Sequence, residues 1–124
     1  MTGLLVALGG GLGAAARFVA DGAVRARWRG AFPLATFLVN VTGSLLIGLL
    51  NGAHLFHGFG SVAFVALTTG VCGGYTTFST AMVETVRLAR ADEVRWAVLT
   101  AVGSLVACVA AAALGVGLMW LLGH

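Results

Sequence analysis

The sequence predicts an all-α membrane protein of four transmembrane helices, and composition, apolar run length and charge placement predict it together. Hydrophobic residues make up 60% of the 124-residue chain and charged residues only 9%, where a soluble domain carries roughly 25%. Mean hydropathy is +1.03. Apolar runs near the ~20 residues that cross a bilayer follow one another along the whole chain. Lysine is absent, and apart from Arg17 every arginine lies in a connection between runs or at its edge. The length suits one domain over residues 1–124, with no room for a soluble catalytic module.

The spans fall at about 2–20, 33–50, 61–86 and 94–122. The first run is as long as a span and more runs follow it, so it is expected to stay in the membrane rather than be cleaved as a signal. It is rich in glycine, with Gly3, Gly9, Gly10, Gly11 and Gly13. Small residues let membrane helices approach closely. The same cluster superficially matches a phosphate-binding loop, a reading that lacks the strand it requires. The second span opens at Pro33 and carries Thr36, Asn40, Thr42 and Ser44. The third contains the least helix-like stretch of the chain. The fourth sets Thr100, Ser104 and Cys108 at i, i+4 and i+8, one helical stripe. Those hydroxyls either relay a partly dehydrated ion or bond back to the preceding turn. Cys72 and Cys108 both lie in apolar segments and read as buried thiols rather than a disulfide. No internal repeat is visible, so any pseudo-symmetry would need a second subunit.

That third-span stretch is Gly70-Val71-Cys72-Gly73-Gly74-Tyr75-Thr76-Thr77-Phe78-Ser79-Thr80. Two adjacent glycines followed by hydroxyl residues predict a helix broken in mid-membrane. Backbone freed from a helix inside a bilayer must find partners in protein, a wet path or an ion. Asn40 has an amide that either joins helices or donates to an anion. Phe78 either packs or offers its positive ring edge to an anion. Arg17 either snorkels to the interface or draws anions into a vestibule. His54 and His57 sit in a short connection without a third metal ligand nearby, and read as solvated loop residues. Glu84 lies toward the end of the third span, an interfacial position.

Charge bias orients the chain. Arg25, Arg27 and Arg29 lie in one connection, and Arg87, Arg90 and Arg95 in another on the same side; the opposite side has none. The arginine-bearing side is therefore expected to be cytoplasmic, with both termini outside a plasma (inner) membrane. Nucleic-acid binding is disfavoured, because the basic residues flank apolar spans rather than line one soluble face.

Taken in order, these residues resemble the Fluc (CrcB) family of fluoride channels. Gly9-Gly10-Gly11-Leu12-Gly13-Ala14-Ala15-Ala16-Arg17 resembles that family's first span. Pro33-Leu34-Ala35-Thr36-Phe37-Leu38-Val39-Asn40 resembles the start of its second, with Ala35 where a glycine is usual. The third-span stretch is similar to its GxCGGxTTFST signature, followed at the expected distance by Glu84. The resemblance implies two four-helix subunits packed antiparallel, with fluoride pathways near their interface. It also implies a structural Na⁺ at that interface, held by the backbone carbonyls of Gly73 and Thr76. It puts pore roles on Asn40 and Phe78 with Thr77, Ser79 and Thr80, and a vestibule role on Arg17. Thr100 and Ser104 join the pore set by the fourth-span stripe. The implied activity is passive release of cytoplasmic fluoride, without catalysis.

The chain departs from the pattern at Ala81, where the family has a second phenylalanine, and at Thr100, where an aromatic is common. Its arginine bias also suits one orientation only. Those departures are explained together if the chain pairs with a paralogue of opposite bias, and separately if it is a homodimer with an altered pore. A small proton-coupled exporter is the remote alternative; it requires a membrane-embedded carboxylate, and the first span has none before Asp21.

Overall fold

The computed structural model describes residues 2–30 and 32–122. The chain's first residue and last two lie outside them, so the side on which the termini emerge has no counterpart here. The described residues form helices and turns only. α1 spans Thr2–Arg25 and α2 spans Leu34–Phe56. The third span, Ser61–Arg90, is a composite. It comprises α3 (Ser61–Val65), a π-helical segment (Ala66–Cys72), α4 (Gly73–Tyr75) and α5 (Ser79–Arg90). The fourth, Val94–Leu122, comprises α6 (Val94–Val98), a π-helical segment (Leu99–Gly103) and α7 (Ser104–Leu122).

These helices overrun the apolar runs that predict them. α1 continues past Ala20 to Arg25, because Arg25 Nε donates to Asp21 Oδ2 at 2.8 Å, an (i, i+4) pair that carries the helix into polar sequence. α2 starts after Pro33, whose φ of −76° suits the edge of a helix and whose missing N–H costs nothing there. Its end is turned by Gly58 at φ 68°. Phe59 N–H then reaches back to the Ala53 carbonyl at 3.2 Å. α5 ends on a Schellman-type turn with Asp92 in the left-handed region (φ 59°). Glu93 N–H donates to Leu88 O at 2.9 Å and Asp92 N–H to Ala89 O at 3.3 Å.

Packing follows the glycines. α1 lies chiefly on the first π-helical segment and α2 chiefly on α7. At the first crossing, a Cβ on Gly9 would stand 2.9 Å from the Ala66 carbonyl oxygen, and one on Gly74 would overlap the Gly10 carbonyl. At the second, a Cβ on Gly115 would sit 2.6 Å from Leu45 O. Without a hydrophobic drive between helices in lipid, such backbone proximity supplies the dispersion contact that holds them. Few residues are fully enclosed, and the largest of them are Val39 and Cys72. Leu12, Phe18, Val19, Leu105 and Leu122 leave most of their surface outside, as a lipid-facing shell requires.

His54 is a correction. It lies on α2 rather than in a solvated loop, half-buried, with Nδ1 2.7 Å from Phe59 O and its ring stacked on Phe64 at 4.4 Å. His57 Nε2 lies 2.9 Å from the Met119 carbonyl. The cause is that α2 runs one and a half turns beyond its apolar run.

Candidate functional site

Thr76 sets the geometry of the site. Its ψ of 160° turns the chain out of the helix after Tyr75, and helix resumes at Ser79. Thr76 N–H still closes a turn on the Cys72 carbonyl at 2.9 Å. The next bond would run from Thr77 N–H to the Gly73 carbonyl, and it is replaced. Thr77 N–H donates instead to Asn40 Oδ1 at 2.8 Å, while Asn40 Nδ2 donates to Thr77 O at 2.8 Å. One amide side chain on α2 thus satisfies both main-chain groups of a residue that has left its helix. Nδ2 retains a second N–H. Thr77 Oγ1 accepts from Thr80 N–H at 3.3 Å, a hydroxyl cap on α5 that keeps the Thr77 O–H free to donate.

Arg17 and Phe78 complete the arrangement from opposite directions. Arg17 is half-buried and its Nη1 donates to Thr76 O at 3.3 Å, so the paired-interior reading describes it. It lines a cavity of about 260 Å³ with Asp21, Thr36, Val39, Thr77 and Thr80. The Asp21 carboxylate also lines that space and accepts from Arg25 Nε at 2.8 Å. Phe78 exposes 77% of its surface. With Asn40, Ser44, Thr76, Thr77 and Cys108 it lines a groove of about 230 Å³. Thr77 belongs to both spaces, so the Arg17 cavity and the Phe78 groove meet at the residue that Asn40 holds.

The electrostatics of the interruption are opposed across four residues. α4 ends in carbonyls released from helical bonding, the negative end of a helix, and α5 begins with free N–H groups, the positive end. Gly73 is exposed, and its carbonyl has lost its helical donor to Asn40. A hard cation suits such oxygens. One chain offers two of them, one already shared with Arg17, so a full coordination shell needs a second set. Among the described residues no group of three His, Cys, Asp or Glu could hold a metal ion.

Thr100 and Ser104 are not brought to this place. Thr100 is 2% exposed and its hydroxyl donates to the Trp96 carbonyl at 2.7 Å, which is the back-bonding alternative. Ser104 lines neither space; of the stripe only Cys108 does. The reason is the π-helical segment over Leu99–Gly103, whose wider turns rotate Thr100 away from the face carrying Cys108. Ser79 and Thr80 lie exposed at the start of α5. Ala81 is 8% exposed, turned into the packed interior.

Two groups went unread in the sequence. Glu84 is not merely interfacial: its side chain is only 12% exposed, accepts from the Thr36 hydroxyl and pairs with Arg25 Nη2 at 3.4 Å. It thereby ties α5 to α1 and α2. Thr42 and Tyr75 place their hydroxyls 2.9 Å apart beside the interruption. Only Asp21–Arg25 carries a helical spacing that sequence could reveal; the others join residues 33 to 59 positions apart.

Fold and site together define a small four-span membrane protein that gathers polar side chains at an interrupted third helix. A family model described as CrcB-like protein, Camphor Resistance (CrcB), matches residues 4–116. Relatives include "Fluoride-specific ion channel FluC 1" of Leifsonia xyli subsp. xyli, 49% identical over 95% of this chain and 84% of the relative. "Fluoride-specific ion channel FluC 2" of Cutibacterium acnes is 49% identical over 95% of this chain and 97% of its own. A protein of the same name from Rhodococcus jostii is 50% identical over 93% and 96%. The chain belongs to the Fluc/CrcB family.

Proposed function

We propose that the chain is a subunit of a passive, fluoride-selective ion channel that lets fluoride leave the cytoplasm and so limits its toxicity. One observation carries the reading: the Asn40–Thr77 bonds hold an interruption of the third helix whose two flanking spaces offer a guanidinium, hydroxyls and an aromatic edge, with the Asp21 carboxylate there bonded to Arg25. The names of the relatives agree with it. An anion entering beside Arg17 exchanges water for the hydroxyls of Thr77 and Thr80, then meets the spare N–H of Asn40 and the ring edge of Phe78. Hydrogen fluoride enters cells neutral and dissociates there, so a selective leak for the anion lowers internal fluoride without an energy source. An exporter fits poorly, because the Glu84 carboxylate is engaged by Arg25 and Thr36 rather than open to a cargo.

The working unit on this reading is an antiparallel dimer. Support comes from Phe78, whose ring is largely uncovered, and from Gly73 and Thr76, whose carbonyls lie at the end of α4 where a structural Na⁺ would need further oxygens from a second subunit. Na⁺ bound there would neutralise two facing helix C-termini. Thr100 and Ser104 are retained only as positions that a partner's arrival would have to reorient.

The arginine bias favours a second version, in which this chain is the partly conducting or non-conducting member of a pair with a paralogue of opposite bias. It then sits in the inner membrane with Arg25, Arg27 and Arg29 inside and its ends outside. Fluoride efflux from liposomes holding the purified chain alone, read with an ion-selective electrode against a chloride control, tests the reading. Fast fluoride-selective efflux establishes a self-sufficient channel. Its absence from folded protein, with efflux appearing on co-reconstitution with a paralogue, establishes the paired version; no efflux in either case removes the proposal.

A further inference from the structure

The corner where α1 ends and α2 begins carries features that neither the pore nor the fold uses. Arg27 and Arg29 are exposed and have no acidic partner among the described residues. Trp28, 44% exposed, is fixed by its own indole N–H, which donates to the Phe32 carbonyl at 2.8 Å. The ring therefore stands as a wall rather than a free rotor. It bounds a groove of about 450 Å³ with Ala23, Val24, Arg27 and Leu34. The lining is apolar apart from that guanidinium. Next to it, a second cavity of about 180 Å³ shares Val24, Trp28 and Leu34 and is lined by Arg25, Arg87 and Glu84.

We infer that this corner is a binding site for one anionic phospholipid, its phosphodiester held by Arg27 and Arg29 and an acyl chain laid along Ala23, Val24, Leu34 and the Trp28 face. The pairing of charges decides the occupant. Arg25 is shared between Asp21 and Glu84, and with Arg27 and Arg29 unpaired among the described residues the arginines of the corner outnumber these two acids, so it presents net positive charge beside apolar wall. A soluble anion would use the arginines but not the groove, and a zwitterionic lipid would use the groove but gain nothing from the arginines. Guanidinium also matches a phosphodiester through paired N–H donors. An arginine near an anionic surface contributes about 1 kcal/mol, roughly fivefold in local lipid occupancy. The inference is independent of conduction.

The test uses Trp28 as its own reporter. Trp96 and Trp120 are replaced by phenylalanine, and the full chain is placed in phosphatidylcholine vesicles doped with acyl-brominated lipid. Brominated phosphatidylglycerol is expected to quench Trp28 at several-fold lower mole fraction than brominated phosphatidylcholine. R27Q with R29Q should erase that preference, R27K with R29K should keep only the part that charge supplies and lose the part due to the paired donors, and added inorganic phosphate should leave it unchanged. Equal quenching by the two lipids overturns the site, as does a preference that survives R27Q with R29Q. Absence of quenching by either lipid also overturns it.

Discussion

Asn40 shows why a residue's type was readable while its work was not. An amide in hydrocarbon must be partnered, which any sequence reading can state. That both its partners belong to Thr77, 37 residues on, comes only from the fold. The consequence is a sharp expectation for Asn40→Asp. The carboxylate keeps the bond from Thr77 N–H, loses the donor to Thr77 O, and repels the anion. At about 4 Å and an effective dielectric near 20 that repulsion costs about 4 kcal/mol, so fluoride efflux should fall by at least two orders of magnitude in the electrode assay. Unchanged efflux would remove Asn40 from the path. Arg17→Gln acts at longer range. Efflux should fall roughly tenfold at low ionic strength, and the difference should shrink as salt screens the guanidinium. A defect indifferent to salt would mean that the loss of the bond to Thr76 O, not of the charge, is what matters.

At the scale of elements, the four runs and their polar connections were legible because length and hydropathy dictate them. Helix ends were not, since Asp21–Arg25 and the turn at Gly58 extend helices into polar sequence. The widened turns over Ala66–Cys72 and Leu99–Gly103 left no trace in the periodicity, and the second holds Thr100 buried, bonded back to Trp96. Glycine carried the packing, and its spacing could be read before its partners were known. Gly115→Leu would drive a side chain into the Leu45 carbonyl and Leu49 N–H. Overpacking of this kind costs about 1–3 kcal/mol where neighbours can give, and more against backbone. Purified Gly115→Leu should therefore elute as aggregate on size exclusion, whereas Gly117→Leu, with no atom within 4 Å, should elute as the parent does. Similar profiles for the two would show that the α2–α7 crossing is softer than its geometry implies.

For the whole molecule, charge placement is the more informative signal. Arg17 apart, the arginines lie in two connections expected on one side, a placement that on the proposed reading would set a single orientation. Cysteines introduced at Arg29 and Gly60, in a background without Cys72 and Cys108, should react oppositely with an impermeant maleimide in intact cells: Gly60 labelled, Arg29 protected. Equal labelling of both would mean two orientations and favour self-pairing. On the proposed dimer, the residues that would cover Phe78, 77% exposed here, belong to the second subunit and so leave no signal within this chain.

The interruption of the third span also has a history in the making of the protein. Its polar backbone is answered by Arg17 and Asn40, and Gly43 leaves room for Tyr75 and Thr76. All three belong to helices that leave the ribosome first. The third span is the least apolar of the four, so it would enter lipid poorly by itself, yet it is delivered to neighbours already waiting with the bonds it lacks. Gene order here doubles as an assembly schedule. A circular permutant that begins at Ser61 would hand the insertion machinery its hardest segment before any of those neighbours existed.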